Sequence, residues 1–111
     1  MPCHGERDDL LRLRLRRIVA RVEYVFDPAK DRLNRAKHGV SLALAEVLFL
    51  GPFIAVTDDR FDYGEVRQVA FGFINHRLFV CVYSDRQGEQ RVISLRKANQ
   101  REVQRYAQDL E

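Results

Sequence analysis

The hydrophobic periodicity of the chain changes at Gly51-Pro52, and this change constrains the fold more than any other feature. Beyond it, β-branched and aromatic residues form short runs bounded by turn residues, a pattern typical of β-strands. Four strands are predicted, at residues 53–57, 66–74, 78–84 and 91–97. Asn75-His76 and the segment 85–89 with Gly88 supply hairpin turns, so we expect successive strands to pair antiparallel.

The segment before Gly51 has the start and stop signals of helices. After a short β-run at residues 23–26, Asp27 can cap a helix in which Pro28 takes the first position, and Gly39 ends it. We expect this helix to bury its apolar stripe, which consists of Ala29, Leu33 and Ala36. Ser41 caps a second predicted helix at residues 42–49, which is apolar around most of its circumference and should be buried.

A third predicted helix ends the chain. Asn99 and Glu102 have the spacing of a capping box, and the residues that follow give the helix an apolar stripe. The stripe consists of Val103, Tyr106, Ala107 and Leu110. The order β-α-α-β-β-β-β-α therefore predicts an α+β fold, an antiparallel sheet with helices packed on one face.

The chain has 111 residues and 46% apolar residues, which is ordinary for a globular protein and predicts one folded core. Residues 1–22 are predicted to be a basic extension, whose pattern fits a strand and a helix equally, and residues 23–111 are predicted to be the folded domain. The extension holds six Arg against three acidic residues, so the rest of the chain is formally neutral. Attraction for nucleic acid must therefore come from local clustering of cations.

The cysteines and the hydropathy exclude several classes of protein. Cys3 and Cys81 lack the spacing of a metal site or a disulfide framework, so we predict a reduced, cytoplasmic location, no metal and no cofactor. Cys81 lies in an apolar run and should be buried and inert. No stretch approaches the roughly 18 consecutive apolar residues of a membrane-spanning helix, so no membrane association is expected.

Several separated motifs, in one order along residues 23–111, resemble the BrnT family. They are Phe26-Asp27, Asn34, Lys37-His38-Gly39-Val40, Gly64-Glu65-Val66-Arg67, Val82-Tyr83, and Arg91 to Ala98 with Glu102 and Tyr106. Two positions depart from the family pattern: Phe26 stands where Trp is frequent, and Leu95 stands where a small residue is frequent. Both changes look like packing changes.

The resemblance implies a function, a fold and a partner. It implies an endoribonuclease toxin of a type II toxin-antitoxin pair, with a RelE-like fold, that inhibits translation in the cytoplasm. The implied partner is a BrnA-type ribbon-helix-helix antitoxin, and operator DNA would be contacted only indirectly, through that antitoxin. RNA is the implied substrate.

RNA can be cleaved without a metal when the 2′-hydroxyl attacks the adjacent phosphorus. This reaction needs a general base, a general acid and cations that stabilise the developing oxyanion. The catalytic candidates are His38, Glu65, Arg67 and Arg96. Glu65 or His38 would be the base, His38 or Lys37 the acid, and the two arginines would hold phosphate. The RNA-binding candidates are Lys30, Asn34, Lys37, Ser94 and Lys97.

Strand alternation divides the last predicted strand between two faces. Val92, Ser94 and Arg96 should share one face, and Arg91, Ile93, Leu95 and Lys97 the other. Because Ile93 and Leu95 are apolar, their face should be the one that the helices cover. Ser94 and Arg96 are therefore better candidates for RNA contact than Lys97.

Each site residue also has an interpretation without catalysis. A cationic His38 would be stabilised at the C-terminus of its helix, and Glu65 and Arg67 would form a surface ion pair. Lys30, Asn34 and Lys37 would be a solvated helix face. The alternative function is a non-catalytic module that binds nucleic acid or protein through the same cationic face.

Overall fold

The computed structural model describes residues 23–59, 64–86 and 88–110. The predicted N-terminal extension, residues 1–22, lies outside this part of the chain. The described elements, in chain order, are β1 (Glu23–Val25), α1 (Pro28–His38), a 3-10 helix (Leu42–Leu44), α2 (Ala45–Leu50), β2 (Phe53–Asp58), β3 (Arg67–Ile74), β4 (Arg77–Arg86), β5 (Glu89–Lys97) and α3 (Gln100–Leu110). The predicted order of strands and helices is confirmed, with a 3-10 turn added before α2.

The five strands form one sheet in the order β1-β5-β4-β3-β2. The pairs β2–β3, β3–β4 and β4–β5 are antiparallel, as the turn residues predicted. Asn75 and His76 have φ angles of 51° and 64°, so both residues of the first hairpin turn are left-handed. However, β1 pairs with β5 in parallel, and the sheet is mixed rather than antiparallel.

The helices cover both faces of the sheet. One core cluster contains Leu42 and Leu48 from the helical segment after α1 together with Phe79 of β4, and the other contains Val80 of β4 with Tyr106 of α3 packed against it. Because neighbouring strand residues point to opposite faces, α2 and α3 lie on opposite sides of the sheet. The prediction that all helices pack on one face is therefore wrong for α3.

Burial in the core has the expected effect on Cys81. The side chain is fully buried in the first cluster, and burial raises the pKa of its thiol to about 12. This supports the prediction that Cys81 is buried and inert. None of the described helices is long and apolar enough to cross a membrane.

Helix α1 buries polar side chains and exposes the apolar stripe that was predicted to be buried. Of its eleven residues, only Asp31 and Asn34 are buried. Leu33 is 70% exposed, and Ala29 and Ala36 are also exposed, so the predicted apolar stripe faces outward. The reason lies in the sheet, because β1 pairs with β5 only as far as Arg91, and no other described strand pairs with the rest of that β5 edge.

The side chain of Asn34 makes the hydrogen bonds to β5 that a neighbouring strand would otherwise make. Its Nδ2 donates to the carbonyl oxygen of Leu95 at 2.8 Å, and the Leu95 N–H donates to Asn34 Oδ1 at 3.1 Å. Nδ2 also donates to the carbonyl oxygen of Val40 at 3.0 Å. The amide satisfies backbone groups that would otherwise be buried without partners, and it ties α1 to β5.

Asp31 ties α1 to the segment that follows it. Its Oδ1 accepts hydrogen bonds from the backbone N–H of Leu42 at 2.7 Å and from the Ser41 hydroxyl at 3.0 Å. Its Oδ2 lies 3.2 Å from Arg35 Nε. The carboxylate therefore helps to cap the 3-10 helix and fixes where the next helical segment starts.

Candidate nucleic-acid interface

A groove of about 220 Å³ runs between α1 and β5. Five of the residues proposed from the sequence line it: Lys30, Asn34, Lys37, His38 and Ser94. The four that lie on α1 are separated by four, three and one residues, a spacing that places them on one side of a helix. Leu33 and Ile93 complete the wall.

Lys30 also borders a second hollow at the start of α1. This hollow has a volume of about 350 Å³ and is lined by Val25, Phe26, Asp27, Lys30, Arg91 and Val92. The Asp27 carboxylate accepts a hydrogen bond from the Ala29 N–H at 2.9 Å, which confirms its predicted role as the cap. The cationic surface therefore extends from the end of α1 to its beginning.

His38 lies at the last position of α1 and is partly buried. Its pKa is lowered from the usual 6.5, first by burial and then by the positive charges of Lys37 and Arg96. A histidine stabilised as a cation by the helix C-terminus would have a raised pKa instead. The neutral imidazole is thus the favoured form at neutral pH, and it lies close to two cations.

Arg96 is held by Glu102 of α3. Its two terminal nitrogens donate to the two carboxylate oxygens, each at 2.8 Å. The paired hydrogen bonds raise the pKa of Arg96 and lower the pKa of Glu102. The sequence indicated Glu102 as a capping residue and as part of a family motif, and its contact with Arg96 becomes visible once β5 and α3 are placed together.

The side chains of β5 do not alternate strictly between the two faces of the sheet, because its pairing with β4 shifts by one residue near the middle of the strand. Val82 is paired with Ser94, but the next residue, Tyr83, is paired with Val92, so Ile93 is an extra residue. Ser94 and Arg96 share one face, as predicted, whereas Val92 packs in the same core cluster as Leu95. The prediction that Val92 shares the face of Ser94 is wrong.

Glu65 and Arg67 lie apart from the groove. Arg67 Nε and Glu65 Oε1 are 3.7 Å apart, and both side chains are largely buried. The strand registers place Arg67 on the same face as Arg96 but two strands away and four residues along, roughly 16 Å between Cα atoms. The structure does not bring these two residues together with His38.

Two RNA-binding candidates are placed differently from the rest. Asn34 lines the groove, but its amide already bonds to the backbone of Leu95 and Val40. Lys97 is exposed and is paired with Phe79, which puts it on the opposite face from Arg96. Within residues 23–59, 64–86 and 88–110, no group of three His, Cys, Asp or Glu residues could hold a metal ion.

The mixed sheet between helices and the cationic groove beside β5 are consistent with a small toxin of the RelE-like fold. A family model described as "Ribonuclease toxin, BrnT, of type II toxin-antitoxin system" matches residues 26–102. The chain belongs to this family of ribonuclease toxins. No curated protein matches the chain.

Proposed function

We propose that this protein is an endoribonuclease toxin that cleaves RNA without a metal, by attack of the 2′-hydroxyl on the adjacent phosphorus, and thereby inhibits translation. The family supports ribonuclease activity and a protein antitoxin as partner. The observation that carries the mechanism is His38 in the groove, because an imidazole next to Lys37 and subject to the positive charge of Arg96 combines a proton acceptor with cations for the phosphate.

The groove supports one assignment of roles. His38 is the general base, since its lowered pKa leaves it unprotonated at neutral pH. Lys37 protonates the leaving oxygen, and Arg96 stabilises the developing charge on the phosphate. Lys30 and Ser94 bind the RNA backbone along the same groove.

The remaining candidates have other places in this proposal. Arg67, which is paired with Glu65, would contact a neighbouring phosphate, because it shares a face of the sheet with Arg96 at a distance of several residues. Lys97 would contact RNA only at the edge of the groove, because it lies on the opposite face of the sheet from Arg96. Asn34 is left out of the RNA contacts, since its amide bonds to the backbone.

The family supports a proposal for the partner and for the location. We infer a BrnA-type ribbon-helix-helix antitoxin that neutralises the toxin in the cytoplasm, with operator DNA bound through the antitoxin alone. Production of the toxin without its antitoxin should arrest growth, and co-production should restore it. Unchanged growth of cells that accumulate folded toxin would contradict the proposal.

The direct test uses partner-free protein with single-stranded RNA and with ribosome-bound mRNA, in excess EDTA. Fragments should carry 2′,3′-cyclic phosphate ends. His38→Gln and Arg96→Ala should each lower the rate by about 10²-fold or more, since each removes one acid-base or electrostatic group. Leu33→Ala is the matched control, because Leu33 lines the same groove without any titratable group.

The pH profile tests the role of His38. Because its pKa is lowered below 6.5, the cleavage rate should rise with pH through an apparent pKa below that value. His38→Gln should remove this limb of the profile. Cleavage that requires a divalent metal, or an unchanged profile in His38→Gln, would overturn the mechanism.

A non-catalytic binding module is the second candidate. It is favoured by the ion pairs of Arg96 with Glu102 and of Arg67 with Glu65, which offset much of the charge of both arginines. This function predicts that RNA binds in the groove and stays intact. Binding with intact RNA, in both assays and without growth arrest, would select it.

A further inference from the structure

Glu102 connects the candidate site to the start of α3. Its Oε1 accepts the Asn99 N–H at 2.9 Å, and its own N–H donates to Asn99 Oδ1 at 2.8 Å, so it forms the capping box predicted from the sequence. The same carboxylate accepts hydrogen bonds from both terminal nitrogens of Arg96. The side chain is 18% exposed and is therefore held from several sides.

We propose that Glu102 is a positioning residue for RNA cleavage, which holds the Arg96 guanidinium in a fixed orientation for the phosphate. This inference rests on the proposed function, in which Arg96 stabilises the charge on the phosphate. Glu102 itself touches neither His38 nor the groove lining in the described contacts. It would act only through Arg96.

The donor inventory of Arg96 leaves room for a ligand. A guanidinium has five N–H donors, and two of them bond to Glu102. A third donates to the carbonyl oxygen of Lys97 at 3.3 Å, and it comes from Nη1, the terminal nitrogen that also donates to Glu102 Oε1. Among the described residues, no partner takes the other two donors, so these can meet phosphate oxygens while the first three fix the plane of the group.

Immobilising this arginine favours catalysis for a physical reason. A long side chain that must be ordered by the substrate loses rotamer freedom at that moment, whereas one already held in place does not. Glu102 is suited to hold it, because the backbone N–H of Asn99 donates to the carboxylate and anchors it at the start of α3. The lowered pKa of Glu102 keeps the carboxylate ionised at neutral pH.

The test compares two changes in the same capping box. Glu102→Gln keeps an acceptor for the Asn99 N–H but removes the charge and one of the two acceptors for Arg96. We expect kcat for RNA cleavage to fall by roughly tenfold to a hundredfold, with KM changed by less than about twofold, because the affected contact matters most in the transition state.

Asn99→Ala is the matched control. It removes the other half of the capping box, the bond from the Glu102 N–H to Asn99 Oδ1, and leaves the Arg96 contact in place. Its melting temperature should fall, and its cleavage rate should stay at the wild-type value. A helix cap with no role in positioning would instead give equal cleavage in both variants.

A double-mutant cycle with Arg96→Lys shows whether Glu102 acts through Arg96. Lysine keeps the charge but cannot form the paired contact, so Glu102→Gln should have no further effect on cleavage in that background. Wild-type rates in folded Glu102→Gln, loss of cleavage in Asn99→Ala, or an undiminished effect in the Arg96→Lys background would each overturn the inference. Absence of cleavage by the wild type would overturn the proposed function and this inference with it.

Discussion

Helices α1 and α2 follow one another in the chain, yet opposite chemistry attaches them to the sheet. α1 buries Asp31 and Asn34, which bond to backbone groups, and exposes Leu33. α2 buries Ala45 and Leu48, and Leu48 lies so close to Gly72 of β3 that a side chain there would meet it. One helix is attached by hydrogen bonds and the other by close apolar packing.

The difference bears on function because hydrogen bonds are directional and apolar contacts are not. The bonds of Asn34 to Leu95 fix both the position of α1 along β5 and its rotation about its own axis. That rotation decides where Lys37 and His38 point. The helix that carries the candidate site is thus the one whose orientation is set by polar contacts, while α2 serves as scaffold.

The largest expected effect comes from Asn34→Ala. This change leaves the Leu95 N–H, the Leu95 carbonyl and the Val40 carbonyl without their partner, and we expect the free energy of unfolding to fall by about 3 kcal/mol. Urea denaturation measures it. Leu33→Ala on the same helix is the control and should stay within about 0.5 kcal/mol, since Leu33 is 70% exposed. Equal losses in the two variants would contradict the polar attachment of α1.

Gly72→Ala tests the apolar attachment of α2. A Cβ at this position would lie 2.9 Å from both Leu48 Cγ and Cδ2, so the fully buried Leu48 must shift. Overpacking should lower the free energy of unfolding by about 1–2 kcal/mol, and Leu48→Val in the same chain should recover part of the loss. Gly51→Ala is the control, because nothing lies within 4 Å of a Cβ there. A stabilised Gly72→Ala protein would show that α2 packs more loosely.

The smallest effect is expected from Asp31→Asn, and it should depend on pH. The pKa of Asp31 is lowered from 3.8, first by the Leu42 N–H and then by the Ser41 hydroxyl and nearby arginines. Because its pKa is lower in the folded protein than in the unfolded chain, the carboxylate stabilises the fold at pH values above the unfolded pKa. This contribution disappears as the pH falls through the folded pKa.

Thermal unfolding between pH 7 and pH 2 measures this dependence. The wild type should be more stable than Asp31→Asn above about pH 4, and the two should converge in acid. A difference that stays constant across the whole range would show that the charge of Asp31 contributes nothing to holding α1.

Local signals account for most of the predicted elements. The caps Asp27 and Ser41, the hairpin residues Asn75-His76 and the capping box of α3 act between residues close in sequence, so the sequence alone indicates them. The groove could be predicted in part for the same reason, because the spacing on α1 places Lys30, Lys37 and His38 on one side of the helix. Helical geometry requires only the sequence separation.

The errors all involve partners that are distant in sequence. Nothing near Leu33 or Asn34 shows that the helix will lie along an unpaired stretch of β5, where an amide is needed and a leucine is not. The extra residue Ile93 likewise depends on the pairing of β5 with β4, which alternation within one strand cannot reveal.

The sequence by itself therefore determined the order of the elements, their ends and the family to which the chain belongs, since these depend on local geometry and on motifs read along the chain. The tertiary structure alone decided that β1 joins β5 in parallel, that α3 covers the opposite face, and that Arg96 pairs with Glu102. The strand pairing and the ion pair depend on which backbone and charged groups remain unsatisfied after the other strands have paired. The place of α3 depends on which apolar strand residues remain uncovered, and all three are properties of the assembled sheet.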